Sequence, residues 1–156
     1  MKYDTDGNLL WQNKYDTYAI ESIQDCIADA EGSVYSLCNS VDPFVFLSRF
    51  ALVKYSAAGD TLWTFYYGGT QQITSAASDL LIDETGNIYV TGNVKYLETN
   101  DFGLMLLKLS PSGEILWESI YTEGSYGFTG LSARIIDSTF YLWGRTGSPQ
   151  GTRLCC

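Results

Sequence analysis

Two phrases recur along this chain at one period. The first is KYDTDGNLLW at 2–11, KYSAAGDTLW at 54–63 and KLSPSGEILW at 108–117, so that Trp11, Trp63 and Trp117 stand at a nearly constant interval. The second is CIADAEGSVYSL at 26–37, LLIDETGNIYVT at 80–91 and, with its glycine missing, RIIDSTFYLW at 134–143. Its aspartates, Asp29, Asp83 and Asp137, are equally spaced. Two independent phrases on one period identify a repeat architecture, in which each unit buries its apolar face only against a neighbour.

Each unit reads as four short strands, A to D. The run 101–109 is almost wholly apolar and too short to stand as a helix, so it is strand A. Ser110-Pro111-Ser112-Gly113 then has Pro and Gly where a tight turn needs a fixed φ and a positive φ. Strand B runs from Glu114 to Tyr121, with Ile115, Trp117 and Ser119 assigned to one face. Strands C and D form a hairpin, Leu80 to Asp83 and Asn87 to Thr91 around Glu84-Thr85-Gly86 in the second unit, and Leu131 to Asp137 with Phe140 to Gly144 in the third. No window carries a 3.6-residue apolar stripe between helix caps. The fold class is all-β.

A period of about 50 residues with four strands per unit is that of a propeller blade, since the helical and leucine-rich repeats are shorter. Runs such as 46–54 and 104–109 are apolar on both faces, as a sheet covered on both sides requires. The expected architecture is a partial β-propeller of three four-stranded antiparallel blades. The units are 1–41, lacking strand A, then 42–95 and 96–147, with a polar tail over 148–156. The tryptophan closing each B phrase is expected to wedge adjacent blades.

The second unit, through Tyr67-Gly68-Gly69 and Ile82-Asp83-Glu84-Thr85-Gly86-Asn87-Ile88-Tyr89-Val90-Thr91-Gly92, resembles the bacterial SBBP propeller repeat, and the resemblance extends over nearly the whole chain. It is more distantly similar to the quinoprotein (PQQ-type) repeat, with Asp4, Gly7 and Trp11 approximating that family's docking phrase through a turn one residue shorter. The SBBP resemblance implies an extracytoplasmic or cell-surface scaffold or binding surface, with no catalytic residue and no cofactor to carry over. The quinoprotein resemblance implies the alternative, a segment of a dehydrogenase propeller. Three such units do not close a ring of four to eight blades. The expected partners are therefore the remaining blades of a longer chain, or further copies of this one in a self-assembling ring.

Charge narrows the partners. Nine basic against 18 acidic residues give a net charge of −9, which argues against nucleic acid and anionic membrane. No apolar run approaches the ~20 residues of a spanning helix, so no membrane insertion is expected.

Chemistry-bearing residues point away from catalysis. There is no His, the commonest general base and metal ligand. The carboxylates Asp25, Asp29, Asp79, Asp83 and Asp137 lie near blade edges, and Asp29, Asp83 and Asp137 recur, as turn-forming aspartates that accept backbone N–H groups do. Asp4-Thr5-Asp6-Gly7-Asn8 opens like a calcium loop but lacks the distal Glu, and its counterparts at 56–60 and 110–114 keep the turn without the carboxylates. Cys26 faces residue 36 across its hairpin, leaving Cys38 a diagonal neighbour ~7–8 Å away, beyond normal disulfide reach. Both are expected as buried free thiols, and Cys155-Cys156 as part of a disordered tail. No cysteine pair has zinc-ligand spacing. The binding signal lies in the B–C connections, which bring Tyr15, Tyr18, Tyr66, Tyr67, Tyr121, Tyr126 and Phe128 to one rim, where contacts to carbohydrate or protein suit exposed tyrosines. The competing reading packs these rings between blades with their hydroxyls at the edge. The chain is read as a non-catalytic scaffold or binding module.

Overall fold

A computed structural model of the chain describes residues 1–14, 19–122, 127–148 and 151–155. Its elements are all strands: β1 (Lys2–Tyr3), β2 (Leu9–Trp11), β3 (Ile20–Ala28), β4 (Val34–Val41), β5 (Ser48–Tyr55), β6 (Thr61–Gly68), β7 (Ile73–Ile82), β8 (Ile88–Tyr96), β9 (Phe102–Leu109), β10 (Ile115–Thr122), β11 (Phe128–Ile136), β12 (Thr139–Ser148) and β13 (Gly151–Cys155). They form antiparallel sheets in chain order: β1-β2, β3-β4-β5-β6, β7-β8-β9-β10 and β11-β12-β13. The all-β class is as the periodicity requires.

The sheets and the sequence units are out of phase. Each complete sheet joins strands C and D of one unit to A and B of the next, so sheets separate inside the B–C connections. Two expectations about the ends are corrected. Lys2–Tyr3, where no A strand was expected, pairs with β2. Residues 151–155, expected in a polar tail, pair with Gly144–Ser148 of β12. In both places the backbone groups of a neighbouring strand edge satisfy N–H and C=O groups that a tail would leave to water.

One turn recurs between A and B. In the second unit Ser56 N–H donates to Asp60 O at 2.8 Å and Gly59 N–H to Ser56 O at 2.9 Å. Gly59 has φ +96°, the left-handed position of a bulged hairpin. Two residues of B therefore oppose one of A: Lys54 faces Trp63 and Tyr55 faces Thr61. The same offset occurs at Lys2/Trp11 and Lys108/Trp117. Hence Ile115 and Trp117, assigned to one face by strict alternation, lie on opposite faces. The extra residue turns each indole toward the next sheet.

The core lies between the two four-stranded sheets. Tyr35, Leu37, Phe50 and Leu52 of the first meet Leu80, Ile88, Val90, Val94, Met105 and Leu107 of the second, all 2 % exposed or less. Each apolar side chain so buried contributes about 2 kcal/mol. Strand β7 packs against all four strands of the preceding sheet and also against β11 of the following one. Strands β3, β7 and β11, the first strands of successive sheets, thus lie next to one another.

Candidate functional site

These three first strands carry a feature that sequence reading missed. Each is bulged, at Ile23/Asp25 in β3, Ala77/Asp79 in β7 and Thr129/Ser132 in β11. The bulges aim carboxylates from one sheet to the next. Asp25 accepts its neighbour Cys26 N–H at 2.8 Å and, across the interface, Leu80 N–H at 3.1 Å. Asp79 accepts Leu80 N–H at 3.0 Å, and across the next interface Ala133 N–H at 2.8 Å and the Ser132 hydroxyl at 2.9 Å. Arg134 Nη1 stands 3.8 Å from the same Asp79 oxygen. Asp25 and Asp79 share one N–H and lie close together. Burial, and then the Asp79 carboxylate, raise the Asp25 carboxyl above the usual range against the pull of its backbone donors. Asn39 adds a second clamp, donating to Ala77 O at 2.9 Å and accepting Ala77 N–H at 2.8 Å. The recoverable signal was the spacing, since Asp25 and Asp79 stand one repeat period apart, as Asp29 and Asp83 do.

A second recurring cluster sits at the turn ends of the C–D hairpins. Tyr35 donates to Asp29 Oδ2 at 3.3 Å, Lys54 Nζ lies 3.9 Å from that oxygen, and the ammonium is 4.9 Å from the Tyr35 ring centre. One unit on, Tyr89 donates to Asp83 at 2.9 Å, Lys108 Nζ is 3.9 Å from Asp83, and it is 5.0 Å from the Tyr89 ring. Asp29 accepts Ser33 N–H, and Asp83 accepts Thr85 and Asn87 N–H, as turn aspartates do. Burial pushes the Asp83 carboxyl up, but hydrogen bonds from Thr85, Asn87 and Tyr89 together hold it well below the carboxylate range. Asp137 departs from the expectation. Its hairpin is a tight turn in which Asp137 (φ 48°) and Ser138 (φ 60°) are both left-handed, between the paired Ile136 and Thr139. The missing Gly shortens the loop and removes the five-residue cup that an Asp side chain would cap.

Asp4 follows the turn reading. It accepts Asp6 N–H at 3.0 Å and Asn8 N–H at 2.8 Å, with Asn8 Nδ2 on its other oxygen at 2.9 Å. Ser56 and Ser110 accept the equivalent donors, Asp60 N–H and Glu114 N–H. Among the described residues no three His, Cys, Asp or Glu side chains gather as metal ligands.

The candidate tyrosines separate. Tyr15, Tyr18 and Tyr126 lie outside the described residues. Tyr67 turns inward and stacks on Phe50 at 5.5 Å; burial, then the Glu118 carboxylate, push its hydroxyl far above the usual value. Tyr66 faces the other way, exposed, with the Arg49 guanidinium 4.5 Å above its ring. Tyr121, one unit on from Tyr67, is also exposed. Of Phe128 only the backbone is described, at the start of β11. The cysteine register is as expected, Cys26 opposite Ser36 and both Cys26 and Cys38 free. Cys26 is exposed, correcting the expectation of two buried thiols; Cys38 is buried. Cys155, expected in a disordered tail, has its backbone in β13.

An apolar groove of about 690 Å³ runs along the outward face of β3 and β4, lined by Ile23, Cys26, Val34, Ser36 and Cys38, with Trp11 and Tyr55 at one side. No helix among the described residues is long and apolar enough to cross a membrane. No protein-family model matches the chain, and no curated protein matches it.

Proposed function

We propose that the chain is a non-catalytic segment of a β-propeller, each four-stranded sheet one blade, acting as a scaffold that presents a binding rim. The observation that carries this reading is a repeated inter-sheet joint. Trp11 Nε1 donates to Ala57 O at 3.0 Å and Trp63 Nε1 to Pro111 O at 3.3 Å. Each indole also lies against the turn glycine of the next sheet, Gly59 or Gly113. One joint used twice stacks like sheets side by side about their first strands, and radial stacking of this kind is how propellers protect their edges. The repeated carboxylates support the non-catalytic reading, since Asp25 and Asp79 are committed to the joints between sheets and Asp29 and Asp83 to the turns and neighbouring side chains of their own sheets.

Of the candidate tyrosines, Tyr66 and Tyr121 stay exposed, on opposite sheet faces near the ends of β6 and β10, and are assigned to the rim. An aromatic face with a polar tip suits carbohydrate or a protein loop. Probing carbohydrate and peptide arrays with the chain and with a Tyr66→Ser/Tyr121→Ser variant tests this. Binding lost in the variant, at unchanged circular dichroism, is the expected result; equal binding removes the assigned rim. Dye reduction with a quinone cofactor, calcium and an alcohol substrate would overturn the non-catalytic reading.

A further inference from the structure

We propose that two copies of this chain join edge to edge, the outer strand β6 of one pairing antiparallel with β6 of the other across a two-fold axis. The inference goes beyond the propeller reading and needs only the first complete sheet. β6 closes that sheet and pairs with β5 alone among the described residues, while the chain runs on into β7 of the next sheet. The open edge is therefore set by connectivity in the middle of the chain. Such an edge offers a row of unpaired N–H and C=O groups, which folded proteins blunt with charge, Pro, a bulge or short length.

β6 has little of this protection. Its sequence, TLWTFYYG, holds no Lys, Arg, Asp, Glu or Pro. A bulge disturbs only its start, and pairing is regular from Trp63 to Gly68. The strand one repeat on makes the contrast. In β10 the place of Thr64 is taken by Glu118, exposed in mid-strand, and a charge there deters the approach of a second edge.

The side chains select the occupant. Trp63, Phe65 and Tyr67 alternate onto one face, where they are partly buried and pack against the core between the sheets. A strand laid beside β6 continues that apolar layer, and β6 of a second copy matches it. Opposite residues in an antiparallel pair turn their backbone groups the same way, so a self-pair is centred on a residue. Centred on Phe65, it spans Trp63 to Tyr67 and stops short of Gly68, whose φ is +80°. Trp63 then meets Tyr67, Phe65 meets its own copy, and Thr64 meets Tyr66. Aromatic pairs of this kind stabilise antiparallel strands, and no like charges stand opposite. Two chains of net charge −9 repel one another, so an uncharged strand is where they touch at least electrostatic cost. The two-fold uses each β6 edge once and closes at two chains.

Light scattering over a dilution series reaching about 100 µM reads the mass under mass action. The expected mass at the top of the series is twice 17.3 kDa, and added salt is expected to favour the pair by screening the repulsion. Thr64→Glu/Tyr66→Glu and Thr64→Lys/Tyr66→Lys change the face turned away from the core. Each is expected to be monomeric at unchanged circular dichroism, and an equal mixture to recover the doubled mass, because Glu then faces Lys across the pair. In the wild type, hydrogen exchange over Trp63–Tyr67 is expected to slow as concentration rises, a measurement that needs no variant. A wild-type monomer throughout, a dimeric charged variant, a monomeric mixture, growth beyond two chains, or exchange indifferent to concentration overturns the pair. None of these results touches the indole joint, so the propeller reading stands or falls separately.

Discussion

The Trp63 indole donates its N–H to the carbonyl of Pro111, 48 residues on, across the gap between two sheets. It also stands edge-on to Tyr35 at 6.0 Å within its own sheet. The ring therefore locks a strand pair laterally and a sheet pair face to face. Truncation to Ala is expected to cost about 3 kcal/mol. Trp117 keeps the lateral contact, to Tyr89 at 6.1 Å, and meets Phe140 of the next sheet edge-on at 6.3 Å, but its ring is 38 % exposed, and Trp117→Ala is expected to cost less, about 1 kcal/mol. Urea midpoints of the two variants check the ratio; equal losses would show that the Trp63 N–H bond to Pro111 and its packing on Gly113 contribute little.

Gly59 is constrained twice over. Its φ is +96°, and a Cβ placed there would meet Trp11 Cδ2 at 2.8 Å. Gly59→Ala is expected to destabilise by about 2 kcal/mol from backbone strain, and to shift the Trp11 emission toward that of a solvated indole. At Gly113 the corresponding Cβ stays 3.3 Å from Trp63, so Gly113→Ala should cost less. A Gly59→Ala chain with native emission would place the indole elsewhere.

Asp83 and Asp25 respond to acid in opposite senses. The folded state holds the Asp83 carboxyl below its unfolded value, so its contribution is present above the unfolded carboxylate range and is lost as pH falls through the folded value. Asp25 is raised by burial and by Asp79, so folding favours its protonated form, and its ionisation weakens the fold as pH rises through the folded value. Asp83→Asn is expected to flatten the acid loss of stability, and Asp25→Asn to steepen it. Urea midpoints between neutral pH and about pH 3 read both; matching slopes in the two variants would overturn the assignment.

The Asp137-Ser138 turn uses residues that seldom adopt its geometry. Both have left-handed φ, for which Asn-Gly is the preferred pair. Ser138→Gly is expected to stabilise the β11–β12 hairpin by about 0.5–1 kcal/mol, because Gly reaches positive φ without the strain of a Cβ. Thermal unfolding of the single variant checks it; a lower midpoint would contradict a two-residue turn.

The shared period of Asp29 and Asp83, the Gly at each A–B turn and the indole that follows it, as Trp63 follows Gly59, were legible in the chain. Local chemistry dictates them: Gly for positive φ, Asp for capping a turn, alternation for a strand. From these alone follow the all-β class, the hairpins and the register of Cys26 against Ser36. The facing of Trp117 was not legible, because alternation counts every residue and a bulge adds one that the partner strand does not match. The phase of the sheets was not legible either, since a repeat of four strands can be divided at any of its connections. Only contacts across the interface, Asp25 of β3 on Leu80 and Asn39 of β4 on Ala77, fix that hairpin and β7 as neighbours in separate sheets. Those bonds join residues far apart in sequence, and it is the packed arrangement that brings them within reach.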